Sequence, residues 1–244
     1  PDDTMLWIST NCMRETPLDI ALESLGSLTR GVEIVNGGAH HIPAVSLLES
    51  FPYKYMIRLP QRDINLSSIL EPVRQAAVAV ITERFEFASE VGADVVVDPG
   101  YVTSLADRPH AKRQLARSCV DIIRAADEFG TRFFFRNMGR YEGNMVRYPE
   151  ELNLITQVPL ALDIGHAHVN GCLPGFLHEA ASRCIYLYDC REFSEEHLEV
   201  GSGSIQFEQV AAGMFANGAR GVIDVRTFRA AHNSLIALRR FGIG

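Results

Sequence analysis

The stretch LALDIGHAHVNG, residues 160–171, passes from an apolar run to one carboxylate and two imidazoles within nine residues. Asp163, His166 and His168 are residue types that hold divalent metals and move protons near neutral pH. If Leu160 to Leu162 form a buried strand, these side chains fall just beyond its end. Charges stand at comparable places elsewhere: Arg58, Asp98 and Arg136 each close an apolar run, and Asp224 and Arg226 close another. A charge at the edge of an apolar run is costly unless it is paired. The signs alternate along the chain from Arg58 through Asp98 and Arg136 to Asp163. On neighbouring strands about 4.8 Å apart, such an arginine and aspartate can form a two-point ion pair. Any one of these charges could equally face solvent or cap a helix. Their common placement at run ends argues for one shared surface.

The elements that must position them are short β-branched or aromatic runs: MLWIS (5–9), GVEIV (31–35), KYMIRL (54–59), DVVVD (94–98), RFFFRN (132–137), PLALDI (159–164), CIYLYD (184–189) and GVIDV (221–225). Amphipathic stretches alternate with them near 17–29, 43–50, 69–91, 111–129, 149–156, 174–182, 205–216 and 229–240. Val73, Ala76, Ala77, Val80, Ile81 and Phe85 recur at helical spacing before Gly92, and Leu115, Cys119, Ile122, Ile123 and Ala126 do so before Gly130. Eight strands alternating with eight helical segments predict an α/β fold, a closed (β/α)8 TIM barrel made of one domain over residues 1–244. An open doubly wound sheet would have fewer strands and a switch point. The longest irregular stretches, 98–110 and 189–204, both follow strands, on the face where barrels build their sites.

Composition narrows the partners. A net charge of −7 disfavours a nucleic-acid or anionic-membrane surface, because an acidic protein repels phosphate. No apolar run approaches the roughly 20 residues of a membrane span, and the opening residues show no secretory leader pattern. Five cysteines with no C-x-x-C pair fit reduced thiols rather than a disulfide frame, which predicts a cytoplasmic protein.

The chain resembles the xylose isomerase-like TIM barrels, which include apurinic endonucleases of the endonuclease IV type and sugar or sugar-phosphate isomerases and epimerases. The resemblance lies in RLPQRDINLSS (58–68), VGADVVVDPG (91–100), FRNMG (135–139), LDIGHAHVNG (162–171) and YLYDCREFSEEHLEVGSGSI (186–205). Transferred residue by residue, it implies a broken multi-metal site. Arg58 stands where the family has a histidine before LP, Asp98 where it has a histidine before PG, and Arg136 where it has a glutamate before NM. Tyr186 replaces the histidine opening H-x-x-D, although Asp189 is kept, and Asp224 shortens a glutamate. Asp163, His166 and His197 survive, with Glu195 in place of an aspartate. A guanidinium has no lone pair for a metal, so Arg58 and Arg136 are expected to neutralise Asp98, Asp163 and Asp224 in the ion's place. His166, Glu195 and His197 leave one corner for a single divalent ion, zinc or manganese.

Three functions follow. The first is an isomerase, epimerase or lyase of a small sugar-like or phosphorylated substrate. Arg58, Asp98, Arg136, Tyr186 and Arg226 would bind the substrate, with its anionic group over the arginines, and Asp163, His166, Asp189 and Asp224 would carry catalysis. The second is a non-catalytic barrel binding a small anion or serving as a structural subunit. The third, a metal-dependent phosphodiesterase on abasic DNA, is disfavoured by the lost ligands and the acidic balance.

Overall fold

A computed structural model describes residues 6–60, 63–180 and 182–244. Met5 of the first expected strand, Gln61 and Arg62 of the 58–68 motif, and Ala181 in the sixth expected helical stretch lie outside the described residues. Eight parallel strands close into a barrel: β1 (Leu6–Ser9), β2 (Gly31–Val35), β3 (Lys54–Arg58), β4 (Asp94–Val97), β5 (Phe133–Arg136), β6 (Leu160–Asp163), β7 (Cys184–Leu187) and β10 (Arg220–Ile223). Each strand follows its neighbour in chain order around the ring, and β10 closes it against β1 through Leu6–Gly221, Trp7–Val222 and Ile8–Ile223. Runs such as Val95 to Val97 and Phe133 to Phe135 are buried throughout, as strands covered on both faces must be.

The helices are α1 (Leu18–Leu25), α2 (Val45–Glu49), α3 (Glu71–Glu90), α4 (Arg108–Phe129), α5 (Ile164–Val169), α6 (Leu173–Glu179), α7 (Phe207–Asn217) and α8 (Phe228–Arg240). The stretch 149–156 forms only a 3-10 helix, Pro149–Leu154, so β5 crosses to β6 without an α-helix among the described residues. In α3 the apolar set divides. Ala77, Ile81 and Phe85 are buried against the barrel, whereas Val73 and Val80 face solvent.

Two further segments depart from the sequence-based expectation. The segment after β6 turns at once into α5, because the Asp163 carboxylate accepts a hydrogen bond from His166 N and caps the helix. The stretch 189–204 is partly regular: β8 (Asp189–Arg191) and β9 (Ser194–Leu198) form an antiparallel hairpin outside the barrel sheet. Among the described residues, no helix is long and apolar enough to cross a membrane.

Candidate functional site

Arg58, at the end of β3, reaches across the mouth to Asp224, which follows β10. Its Nη1 and Nη2 donate to the two carboxylate oxygens at 2.8 and 3.2 Å, a two-point pair. Its Nε lies 3.1 Å from Glu33 Oε1, and Ser9 Oγ donates to that same oxygen at 3.0 Å. Arg136, at the end of β5, makes a second two-point pair with Asp98, at 3.0 Å for both bonds, and its Nη1 stands 3.7 Å from Asp163 Oδ2. All six charged side chains are buried. The partners are therefore not simply the neighbouring strands that sign alternation suggests, since Arg58 pairs across the ring.

Four carboxyl groups (Glu33, Asp98, Asp163 and Asp224) face two guanidinium groups here, and the titration of Glu33, Asp163 and Asp224 is shifted. Burial works to raise the Asp224 carboxyl, but Arg58 and then His197 hold it below the usual carboxylate range. Asp163 is likewise brought down against its burial, by His166, Arg136 and His197. Glu33 moves the other way: burial pushes it up despite Arg58, and Asp224 adds to the rise. Tyr186 Oη neighbours Glu33, yet no well-formed hydrogen bond joins them, and Glu33 Oε2 has no hydrogen-bond partner among the described residues.

Beside this network opens a cleft of about 680 Å³. Asp98, His166 and Glu195 line it together with Tyr101, Arg140 and Phe193. His166 Nδ1 lies 2.8 Å from the Asn137 carbonyl oxygen. A carbonyl only accepts, so Nδ1 carries a proton, and in the neutral ring Nε2 keeps its lone pair. That nitrogen stands 3.7 Å from Glu195 Oε2, while Glu195 Oε1 accepts from Arg140 N at 2.9 Å. Gly139 allows this approach, because a Cβ there would lie 2.0 Å from Glu195 Oε1. Behind His166, Tyr188 donates to Asp163 Oδ1 at 2.7 Å and stacks on His197 at 4.0 Å between ring centroids. Gly165 leaves room for the Tyr188 ring, which a Cβ would meet at 2.2 Å.

Several expected roles need correction. Tyr186 is wholly buried under the arginines, 5.1 Å from Arg58 Cζ to the ring centroid, and cannot touch a ligand in the cleft. Asp189 does not line the cleft; its two oxygens accept from the backbone N–H of Cys190, Gly201, Gly203 and Ile205 and so fasten the loop. Arg226 is exposed and joins neither ion pair. Asp163 and Asp224 serve as buried partners of the network, without exposure to solvent. Arg58 and Arg136 are engaged by carboxylates and do not line the cleft, so an anion lying over them has no open donor pair to meet.

The metal expectation fares similarly. His197 turns its Nδ1 to the Asp224 carbonyl oxygen at 2.7 Å, and burial lowers its affinity for a proton. Among the described residues, no three His, Cys, Asp or Glu side chains converge into a group able to hold a metal ion, and His166, Glu195 and His197 do not form that corner. At the centre the ligand positions hold two guanidiniums already bonded to the carboxylates, so the residues present do not fit a divalent ion.

Sequence reasoning missed Glu33, Arg140 and Phe193. Glu33 had a signal, a lone carboxylate inside the apolar run GVEIV. Arg140 and Phe193 had none, because their meeting depends on the hairpin: Arg140 Nη1 donates to the Phe193 carbonyl at 2.7 Å, and its guanidinium lies 5.6 Å from the Phe193 ring centroid.

Comparison with known proteins agrees with this architecture. The model of the xylose isomerase-like TIM barrel family matches residues 39–241. The uncharacterized protein MJ1614 of Methanocaldococcus jannaschii is 29% identical over 211 residues, covering 83% of this chain and 84% of that protein. Among solved structures, a D-tagatose 3-epimerase-like protein superposes with a TM-score of 0.87 at 24% identity, covering 97% of this chain and 96% of the other. The 3-keto-D-glucoside 4-epimerase YcjR of E. coli does so with a TM-score of 0.79 at 16% identity, covering 98% of this chain and all of that one (100%). At these identities the structural likeness speaks for the fold.

Proposed function

The chain belongs to the xylose isomerase-like TIM barrel family, and on that premise we propose that it is an isomerase- or epimerase-type enzyme of a small sugar-like substrate bound in the cleft. The observation that carries the reading is the 3.7 Å approach of His166 Nε2 and Glu195 Oε2 at the cleft wall, with the opposite nitrogen of the imidazole committed to Asn137. In this reading Glu195 takes the proton from the carbon beside a carbonyl, leaving an enediolate. It delivers that proton to the former carbonyl carbon, while the hydroxyl proton passes to the former carbonyl oxygen. His166 Nε2 accepts a hydrogen bond from the neighbouring hydroxyl and orients it. Tyr101 and Phe193 offer ring faces, and the cleft has the size of a small-molecule site. The sugar epimerases among the structural neighbours support the substrate class.

The test is proton exchange. Neutral ketoses incubated with the protein in D2O are expected to gain deuterium at the carbon beside the carbonyl, as followed by NMR. Glu195→Gln should slow that exchange by roughly 100-fold or more, the scale of a general base. Exchange that persists unchanged in Glu195→Gln, or that never occurs across a ketose panel, would count against the reading. A DNA-cleaving role has less support, since the proposed site is a small cleft beside a buried charge network.

A further inference from the structure

We propose that Arg140 is the anchor for an anionic group on the ligand, so that the preferred substrates are sugars bearing a phosphate or carboxylate at one end. This rests on the sugar reading above and narrows it. Arg140 is the only arginine or lysine among the described residues lining the cleft, whose other charged groups are Asp98 and Glu195 with His166 beside them. Its guanidinium differs from the two beneath it. Arg58 and Arg136 each spend two donors on one carboxylate, whereas Arg140 has no carboxylate partner for its guanidinium among the described residues.

The group is nevertheless held in place. Nη1 is bonded to the Phe193 carbonyl at the hairpin tip, and the Phe193 ring centroid lies 5.6 Å from the guanidinium carbon. Its own backbone N–H fastens Glu195 Oε1. Among the described residues, no hydrogen bond uses Nε or Nη2. A guanidinium anchored on one side and open on the other suits two-point recognition of a phosphate or carboxylate.

Charge also orients such a ligand. Glu195 and Asp98 are the acidic side chains lining the cleft, so an anionic end is repelled from the wall where the proton would move and drawn to the Arg140 side. The hydroxyl and carbonyl end is then left facing His166 and Glu195. The cleft volume of about 680 Å³ accommodates a hexose with a charged substituent.

Calorimetric titration of the full chain with D-fructose, D-fructose 6-phosphate, D-glucuronate and inorganic phosphate tests this. At least one charged sugar is expected to bind about ten-fold or more tightly than D-fructose, and its identity separates phosphate from carboxylate recognition. Arg140→Gln should erase that preference and leave D-fructose binding within about two-fold, with Arg140→Lys intermediate. If Arg140→Gln weakens D-fructose as much as the charged sugars, Arg140 is a hairpin latch and the inference falls. Equal binding of neutral and charged sugars removes the inference and leaves the sugar reading intact. Arg140-dependent binding of inorganic phosphate with no sugar bound keeps the anion site and removes the sugar reading. No binding of any of the four probes overturns both.

Discussion

The two ends of the barrel use the same bond in opposite ways. At the end where the strands begin, Asp94 of β4 receives two bonds from Arg132, at 2.8 and 2.7 Å, and one from Arg220 of β10 at 2.8 Å. Arg220 also lies 4.0 Å from the Trp7 ring centroid. Two cations thus serve one carboxylate, and the Arg132 side chain is 62% exposed. At the mouth two guanidiniums serve four carboxyl groups, and the side chains of Arg58 and Asp224 are 7% and 0% exposed. Asp94 keeps a second cation if one is lost, whereas Asp224 has no second guanidinium bonded to it among the described residues. The lower pairs fasten strands, while the upper ones hold together a charge cluster that the fold would otherwise not tolerate.

The largest expected effect follows from that contrast. Arg58→Met leaves Asp224 and Glu33 buried without their guanidinium and should cost roughly 3–5 kcal/mol in urea unfolding. Arg132→Ala should cost about 1 kcal/mol or less, because the lost guanidinium is largely exposed and Arg220 still serves Asp94. A loss at Arg132 equal to that at Arg58 would erase the distinction between the two ends.

Salt sharpens the comparison further. At 1 M the screening length falls to about 3 Å, so the small effect of Arg132→Ala should shrink toward zero while that of Arg58→Met persists. Parallel denaturation series at low and high sodium chloride check this.

A smaller effect concerns pH. Burial lowers the His197 proton affinity, so the folded chain prefers the neutral ring. A depressed folded value means that this contribution is present above the unfolded value of about 6.5 and is lost as pH falls through the folded one. His197 has φ 51°, a conformation asparagine tolerates, and its Nδ1 donates to a carbonyl, as an asparagine amide can. His197→Asn should therefore flatten the loss of stability below about pH 6.5. An unchanged slope in that variant would assign the acid sensitivity to other groups.

Much of the barrel was legible because its strands are nearly pure apolar runs. GVEIV coincides with β2, and the other seven expected strands meet the observed ones to within a residue or two. Arg58, Asp98, Arg136 and Asp224 were legible as charges that such runs cannot bury unpaired. Which partner each would choose was not, since pairing across a closed barrel depends on stagger that no local pattern records. Arg226 follows Asp224 by two residues and still lies outside, because β10 has ended at Ile223 and the chain is turning toward α8. The β8–β9 hairpin stayed hidden for a different reason. Its turn, between Arg191 and Ser194, holds Glu192 and Phe193 rather than a glycine-containing pair, so the usual hairpin signal is missing. That hairpin brings Phe193 and Glu195 to the cleft, which is why the cleft wall was only half visible in the sequence.

The central claim is that guanidinium–carboxylate coupling, rather than a metal ion, balances the charge at the centre of the mouth. A double-mutant cycle on Arg58→Met and Asp224→Leu, read by equilibrium unfolding, tests it most directly. The account predicts single losses of roughly 3–5 kcal/mol each and a double variant far less destabilised than their sum, because the apolar pair leaves no unmatched charge between these two positions. Single losses that simply add, with a coupling energy within about 0.5 kcal/mol of zero, would contradict it.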